Sequence, residues 1–196
     1  MAGVDRPRPR RHISETMSTT ISPPAIKPIS IVIAPNQILK ARARPVQDKD
    51  ADVVRDLIPR MFAAMYAAPG IGLAAPQVAE SLRLIIIDLK PNDKFEPLTL
   101  INPEIVAATP ELATREEGCL SLPNMYADVT RPAKVKVRYL DEFGAKKEIE
   151  GEGLMSACLQ HEIDHLDGIL FVDHLSLLKR NMIMRRLAKE QREKKR

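Results

Sequence analysis

His161-Glu162-Ile163-Asp164-His165 has the form HExxH, two histidines four apart with a glutamate directly after the first. On a helix, positions i and i+4 lie on one face, so both imidazoles can bind one metal ion. The glutamate can then reach a water on that metal and act as its general base. The bland alternative is a helix carrying two ordinary packing histidines. The chain has four histidines and two of them fall in this spacing, which favours the metal reading. By itself the stretch specifies metal-assisted hydrolysis and leaves the substrate open.

A catalytic metal site usually takes three protein ligands and keeps one position open for water. Cys119, Cys158 and the carboxylates are the remaining candidates. Cys158 lies seven residues before His165, about 10 Å along a helix axis, so one helix does not easily wrap Cys158, His161 and His165 around a single ion. It reads better as a small buried packing residue. Cys119 can approach from another element, within Glu117-Gly118-Cys119-Leu120-Ser121, where the glycine permits a tight backbone path. The expected ligands are Cys119, His161 and His165. One sulfur and two nitrogens are compatible with Fe(II), Zn(II), Co(II) or Ni(II).

Gly70-Ile71-Gly72-Leu73-Ala74-Ala75-Pro76-Gln77 is the third notable patch. Its glycines and alanines keep side chains small where the backbone approaches something closely. Standing alone it would read as a tight turn after a helix. GIGLAAPQ (70–77), EGCLSLP (117–123) and QHEIDHLDG (160–168) occur in that order, and together they resemble the three signature motifs of peptide deformylases. The resemblance runs from about Ile31 to Lys179, and three ordered motifs make it specific.

The resemblance implies an enzyme that removes the N-formyl group from the formyl-methionine of newly made polypeptides and releases formate. Cys119, His161 and His165 would hold one divalent ion. Fe(II) is the expected native metal, with Zn(II), Ni(II) or Co(II) able to substitute. Hydroxide formed at the metal would attack the formyl carbon, with Glu162 as general acid and base. The side-chain amide of Gln77 and the backbone N–H of Leu120 would stabilise the oxyanion. The peptide would lie extended along Ile71 and Gly72. Ile71, Leu154, Ala157 and Cys158 match the positions of the family's methionine pocket. Helix geometry independently puts Leu154 and Cys158 on the His161 face. Asp164, inside the HExxH turn, and Arg131 are expected to pair and orient a ligand histidine. One departure is visible: some deformylases carry a substrate-contacting arginine seven residues past the metal cysteine, where this chain has Tyr126.

With 196 residues, 44% hydrophobic and 29% charged, the composition is that of one ordinary globular domain. No apolar run approaches roughly 18 residues, so no transmembrane helix is expected. Two cysteines, one assigned to metal, leave none to form a disulfide and favour a reducing compartment. The expected location is the bacterial-type cytoplasm. Net charge +4 is uneven: residues 179–196 carry net +7 and residues 1–16 net +2, which leaves 17–178 at net −5.

Residues 1–29 are rich in proline, serine and threonine and read as a flexible arm. They lack the apolar stretch of a secretory signal. Their arginines weakly suggest organellar import, a minor alternative, and Met17 could equally be the start. Residues 30–178 read as the catalytic domain and 179–196 as a basic helical tail, suited to phosphate backbones and hence to contact with the ribosome.

Val54, Leu57, Ile58, Met61 and Met65 recur at helical spacing, predicting a helix over 51–67 that Pro59 kinks or splits. Leu84 to Leu89 reads as a buried strand and Thr99 to Ile101 as a second. Val135, Val137 and Tyr139 alternate with charges, a half-buried strand that turns at 141–144 and returns over 147–150. Gly153 to Leu166 is the HExxH helix, ended by Gly168. A last helix over about 175–195 would dock through Leu175, Leu178, Met182 and Ile183. Strands and helices without βαβ alternation give an α+β class. The resemblance adds antiparallel sheets packed around the central metal-binding helix, with a C-terminal helix.

Two other functions compete. A zinc peptidase shares HExxH, but Cys119 and GIGLAAPQ argue against it. An idle metal-stabilised protein that binds ribosomes could afford to lose Glu162, Gln77 or a ligand, and all are present.

Overall fold

The computed structural model describes residues 29–194. The readings of an N-terminal arm, of import and of a start at Met17 fall on residues outside that range, apart from Ile29. In chain order the elements are α1 (Ala51–Ala67), β1 (Gly72–Ala74), β2 (Leu84–Ile87), β3 (Leu98–Ala108), β4 (Leu112–Cys119), β5 (Leu122–Pro132), β6 (Lys134–Leu140), β7 (Lys146–Glu152), α2 (Leu154–Leu166) and α3 (Leu177–Glu193), with short 3-10 turns between them.

All named strands pair antiparallel, so the class is α+β. Five strands form one sheet in the order β1-β2-β3-β6-β7, and β4 and β5 form a separate hairpin. The unbroken apolar run of β2 has a simple cause. Ile85 and Ile87 face one core with Leu159, Ile163 and Leu166 of α2, while Leu84 and Ile86 face the other with Leu57, Met61 and Met65 of α1. Alternate side chains thus feed two cores, and every position must be apolar. β1 is an edge strand of this sheet.

α1 is one helix of 17 residues with Pro59 inside it, so the expected split does not occur. The proline removes one donor, but Val54, Leu57, Met61, Ala64 and Met65 are all buried along one face, and that packing holds the helix together. α2 is buried almost all round, as a helix between a sheet and a hairpin must be. It ends in a Schellman motif: Ile169 N–H donates to the Asp164 carbonyl at 2.9 Å and Gly168 N–H to the His165 carbonyl at 3.3 Å. Gly168 has φ +75°, and a Cβ there would lie 2.5 Å from the Lys40 carbonyl oxygen, so only glycine fits.

The β4–β5 hairpin was not among the expected strands, and β3 runs on to Ala108. The last helix docks in part as expected: Leu175 and Ile183 pack against the core. Leu178 and Met182 are exposed, whereas Leu187 is buried against the cluster of Leu122, Met125, Val129 and Phe171, with Ile183 and Met184 packed beside it. The boundary expected after residue 178 falls inside α3. Among the described residues no helix is long and apolar enough to cross a membrane.

Truncating the docked side chain separates the two packing schemes. Leu187→Ala should destabilise by about 2–5 kcal/mol, and Leu178→Ala by less than about 0.5 kcal/mol, as read from urea unfolding.

Candidate active site

β4 delivers Cys119 to α2. The Cys119 sulfur lies 3.2 Å from His165 Nε2. The ligand atoms of Cys119, His161 and His165 all lie within 4.8 Å of one another, and among the described residues they are the group that could hold a metal ion. The donor set fits one divalent ion. His161 Nδ1 is engaged 2.9 Å from Glu117 Oε2, which leaves Nε2 as its free ligand atom. Cys158 takes no part in the cluster; its sulfur lies 3.9 Å from the Ile71 carbonyl.

Behind His161 stands a chain of buried charge. Arg131 of β5 donates from Nε to Glu117 Oε1 at 2.6 Å, from Nη2 to Glu117 Oε2 at 3.1 Å and from Nη1 to Asp164 Oδ2 at 2.7 Å. The expected pairing of Arg131 with Asp164 is therefore present, and its link to the histidine runs through Glu117. Burial alone would raise the Glu117 carboxyl, but hydrogen bonds from His161 and Arg131 outweigh it and hold its pKa at about 2. Burial also opposes charge on His161, yet its contacts with Cys119 and Glu117 hold its pKa well above the usual imidazole value. His165 is driven well below that value, by burial first and then by His161 and Arg131. Both rings must be neutral to bind a cation, so ligation and proton release are linked.

Glu162 is buried, and among the described residues its Oε2 has no hydrogen-bond partner. Burial pushes its pKa up to about 7, with the cationic side of His161 opposing and Glu117 adding to the rise. A carboxyl poised near neutrality suits proton transfer in both directions. Gly72 makes room for it: a Cβ there would lie 2.4 Å from Glu162 Oε1 and 2.9 Å from the Cys158 sulfur.

Gln77 is fixed by accepting the Ala74 N–H at its Oε1, 2.8 Å away. Its Nε2 then points at the centre, 3.5 Å from the Cys119 sulfur and 3.2 Å from Ser121 Oγ. Leu120 follows Cys119 in the turn between β4 and β5, its side chain over Gly70. A cavity of about 800 Å³ opens onto this cluster, lined by Ile71, Gly72, Gln77, Cys119, Leu120, Leu154, Ala157, Cys158, His161 and Glu162. The expected site residues thus meet at one place, with Arg131 and Asp164 behind it. Tyr126 lies at the mouth, its ring against Gly118, where a Cβ would come within 2.6 Å. That ring, more than any tight backbone path, is what the glycine accommodates. A larger groove of about 1170 Å³ lies between α1 and the β6–β7 turn, and none of the candidate residues lines it.

Three residues gained a place that sequence reasoning had not given them. Glu117 holds His161, Ser121 holds Gln77, and His174 Nε2 lies 2.7 Å from Asp164 Oδ2. Period two along β4 carries the signal for the first, since Glu117 and Cys119 share one face. Nothing in the sequence marks His174.

A half-buried sulfur and two buried imidazoles around one point, with a carboxyl near neutrality facing the same cavity, define a metal-dependent hydrolase site. The family model described as polypeptide deformylase matches residues 28–181. A peptide deformylase of Mesorhizobium japonicum is 50% identical over 170 residues, 86% of this chain and 95% of that protein. The crystal structure of a peptide deformylase from Legionella pneumophila superposes with a TM-score of 0.81 at 48% identity, over 86% of this chain and 98% of that one. One from Synechococcus elongatus, in complex with actinonin, gives 0.76 at 41% identity, over 83% and 89%. The chain belongs to the peptide deformylase family, metal-dependent hydrolases that remove the N-formyl group from nascent peptides.

Glu117→Gln keeps the shape of the side chain and removes its charge. Metal affinity should weaken roughly 10- to 100-fold, as read by chelator competition.

Proposed function

We propose that Cys119, His161 and His165 hold one divalent ion, and that Glu162, Gln77 and Leu120 act around it in hydrolysing the formamide bond of N-formyl-methionyl peptides. The observation that carries this reading is the convergence of three ligand atoms within 4.8 Å beside an unpartnered Glu162 oxygen. When bound, such an ion supplies Lewis-acid chemistry, lowering the pKa of a coordinated water towards neutrality. Fe(II) is the native ion we infer, with Zn(II), Ni(II) and Co(II) as substitutes for the same donors.

Glu162 takes one proton from the attacking water at Oε2 and passes it to the leaving nitrogen; the C–N bond breaks to give formic acid and a free amine, and the acid then ionises to formate, losing its proton to the amine or to solvent. Burial raises its pKa from the ordinary carboxyl value, which favours a group able both to take and to return the proton. Gln77 donates from Nε2 to the formyl oxygen as charge develops there, and the Leu120 N–H adds a second donor. Preorganisation supports the first role, because Gln77 Oε1 is already tied to Ala74 N–H.

The peptide adds to the sheet. β1 is an edge strand, and Gly72 at its start and Ile71 directly before it line the cavity, which favours an extended ligand paired with main chain there. Ile71, Leu154, Ala157 and Cys158 give the methionine side chain an apolar pocket. Arg131 and Asp164 act through Glu117 to orient His161. The residues after methionine meet Tyr126 and not the arginine of some relatives.

We further infer that the enzyme works in the cytoplasm, with the basic face of α3 contacting the ribosome. Lys179, Arg185, Arg186 and Lys189 are exposed on a helix whose docked side is set by Leu187. Substituting these four by glutamine should abolish salt-sensitive co-sedimentation with ribosomes; unchanged co-sedimentation would exclude the contact.

Formate release from a formyl-Met tripeptide tests the chemistry. Protein prepared without oxygen, and again after nickel or cobalt exchange, should turn over, and Glu162→Ala should lose roughly 100-fold or more. No turnover in any metal-loaded form would contradict the reading.

A further inference from the structure

Asp88 is fully buried and lies outside the cavity, yet it holds both ends of the loop that forms the cavity's peptide-facing wall. Its backbone N–H donates to the Ile71 carbonyl at 2.9 Å. Its Oδ2 accepts the Tyr66 hydroxyl at 2.6 Å. Tyr66 sits in the last turn of α1 and Ile71 directly precedes β1. One residue therefore closes Tyr66 to Ile71 into a ring, and Ala68 to Ile71 within it line the cavity, as does Gly72 directly after it.

The closure is well braced. Asp88 Oδ1 accepts the N–H groups of Lys90 and Glu96 at 3.0 and 3.1 Å, so the buried carboxylate has three donors. The Lys90 ammonium lies 4.5 Å from the centroid of the Tyr66 ring, and Phe95 meets that ring edge-on at 5.3 Å. Bracing is needed because β1 pairs with β2 over three residues only, from Gly72 to Ala74. The Asp88 to Ile71 bond adds one rung at the end where the peptide lies. A short edge strand left without it would open locally at little cost.

We propose that Asp88 and Tyr66 are positioning residues for the peptide: they hold Ile71 and Gly72 in the extended geometry that pairs with substrate main chain. The proposal rests on the deformylase reading of the site. A residue that aligns a binding edge and touches no reacting atom contributes equally to ground-state and transition-state binding. Its loss therefore raises KM and leaves kcat in place.

Tyr66→Phe removes one oxygen and keeps the ring. With a formyl-Met tripeptide its KM should rise roughly three- to ten-fold, with kcat and bound metal unchanged. Amide exchange over residues 68–72, followed without substrate, should speed up. Asp88→Asn keeps an acceptor for the two loop amides and offers a donor to the Tyr66 oxygen, so its KM should stay near the parent's. An unchanged KM and unchanged exchange in Tyr66→Phe would overturn the proposal. So would a fall in kcat with loss of metal, the mark of a general structural role. If the parent itself released no formate, the deformylase reading would fail separately, and the exchange measurement would still decide whether the hydroxyl holds the loop.

Discussion

The ionic chain from Arg131 through Glu117 to His161 is the contact on which the rest of this structure depends. Three elements meet in it: β5 supplies Arg131, β4 supplies Glu117, and α2 supplies His161 and Asp164. The hairpin and the five-stranded sheet share no strand pairing; backbone bonds from Thr109 N–H to the Lys134 carbonyl and from Ala133 N–H to the Glu111 carbonyl join them at one end, and these side chains fasten the hairpin to α2. Burying such charge is unfavourable unless every member is paired, and here the guanidinium fork is spent on two carboxylates. The same contacts that fasten the hairpin to α2 also turn His161 so that its second nitrogen faces Cys119. Structural attachment and ligand orientation are one set of bonds.

From that seam the active site follows by geometry. Cys119 is the last residue of β4, so the fastening that places Glu117 also places the sulfur two positions on. The cavity lies between the hairpin and the open edge of the sheet, with α2 as its floor. Gly72 is required because the Glu162 carboxylate occupies the volume a side chain would fill. The carboxyl is left unpartnered and desolvated, which destabilises its charged form and brings it to a pKa of about 7. Stability has been given up at the group to which the proposed mechanism assigns the proton transfers.

Much of this was legible in the sequence because the signals were periodic. HExxH declares its own face at helical spacing, and Gly168 declares the end of the helix through a conformation only glycine adopts readily. The run Leu84–Ile87 declares a strand buried on both sides. The β4–β5 hairpin escaped notice because most of β4 is exposed: Thr114, Arg115 and Glu116 give no apolar alternation to read. Pro59 does not split α1, since a well-packed face outweighs one missing hydrogen bond. Of the expected stripe, Leu175 and Ile183 pack while Leu178 and Met182 stay exposed, and only the position of Leu122, Met125 and Phe171 decides that Leu187 is the buried residue of α3. Arg131 and Asp164 could be suspected of pairing, but the intervening Glu117 depends on how two separate elements come together.

X-ray absorption at the zinc edge of zinc-loaded protein tests the central claim most directly. The account predicts one sulfur at about 2.3 Å and two imidazole nitrogens at about 2.0–2.1 Å around each ion, with the sulfur lost in Cys119→Ser. A shell without sulfur, or one with two sulfurs that draws in Cys158, would contradict it.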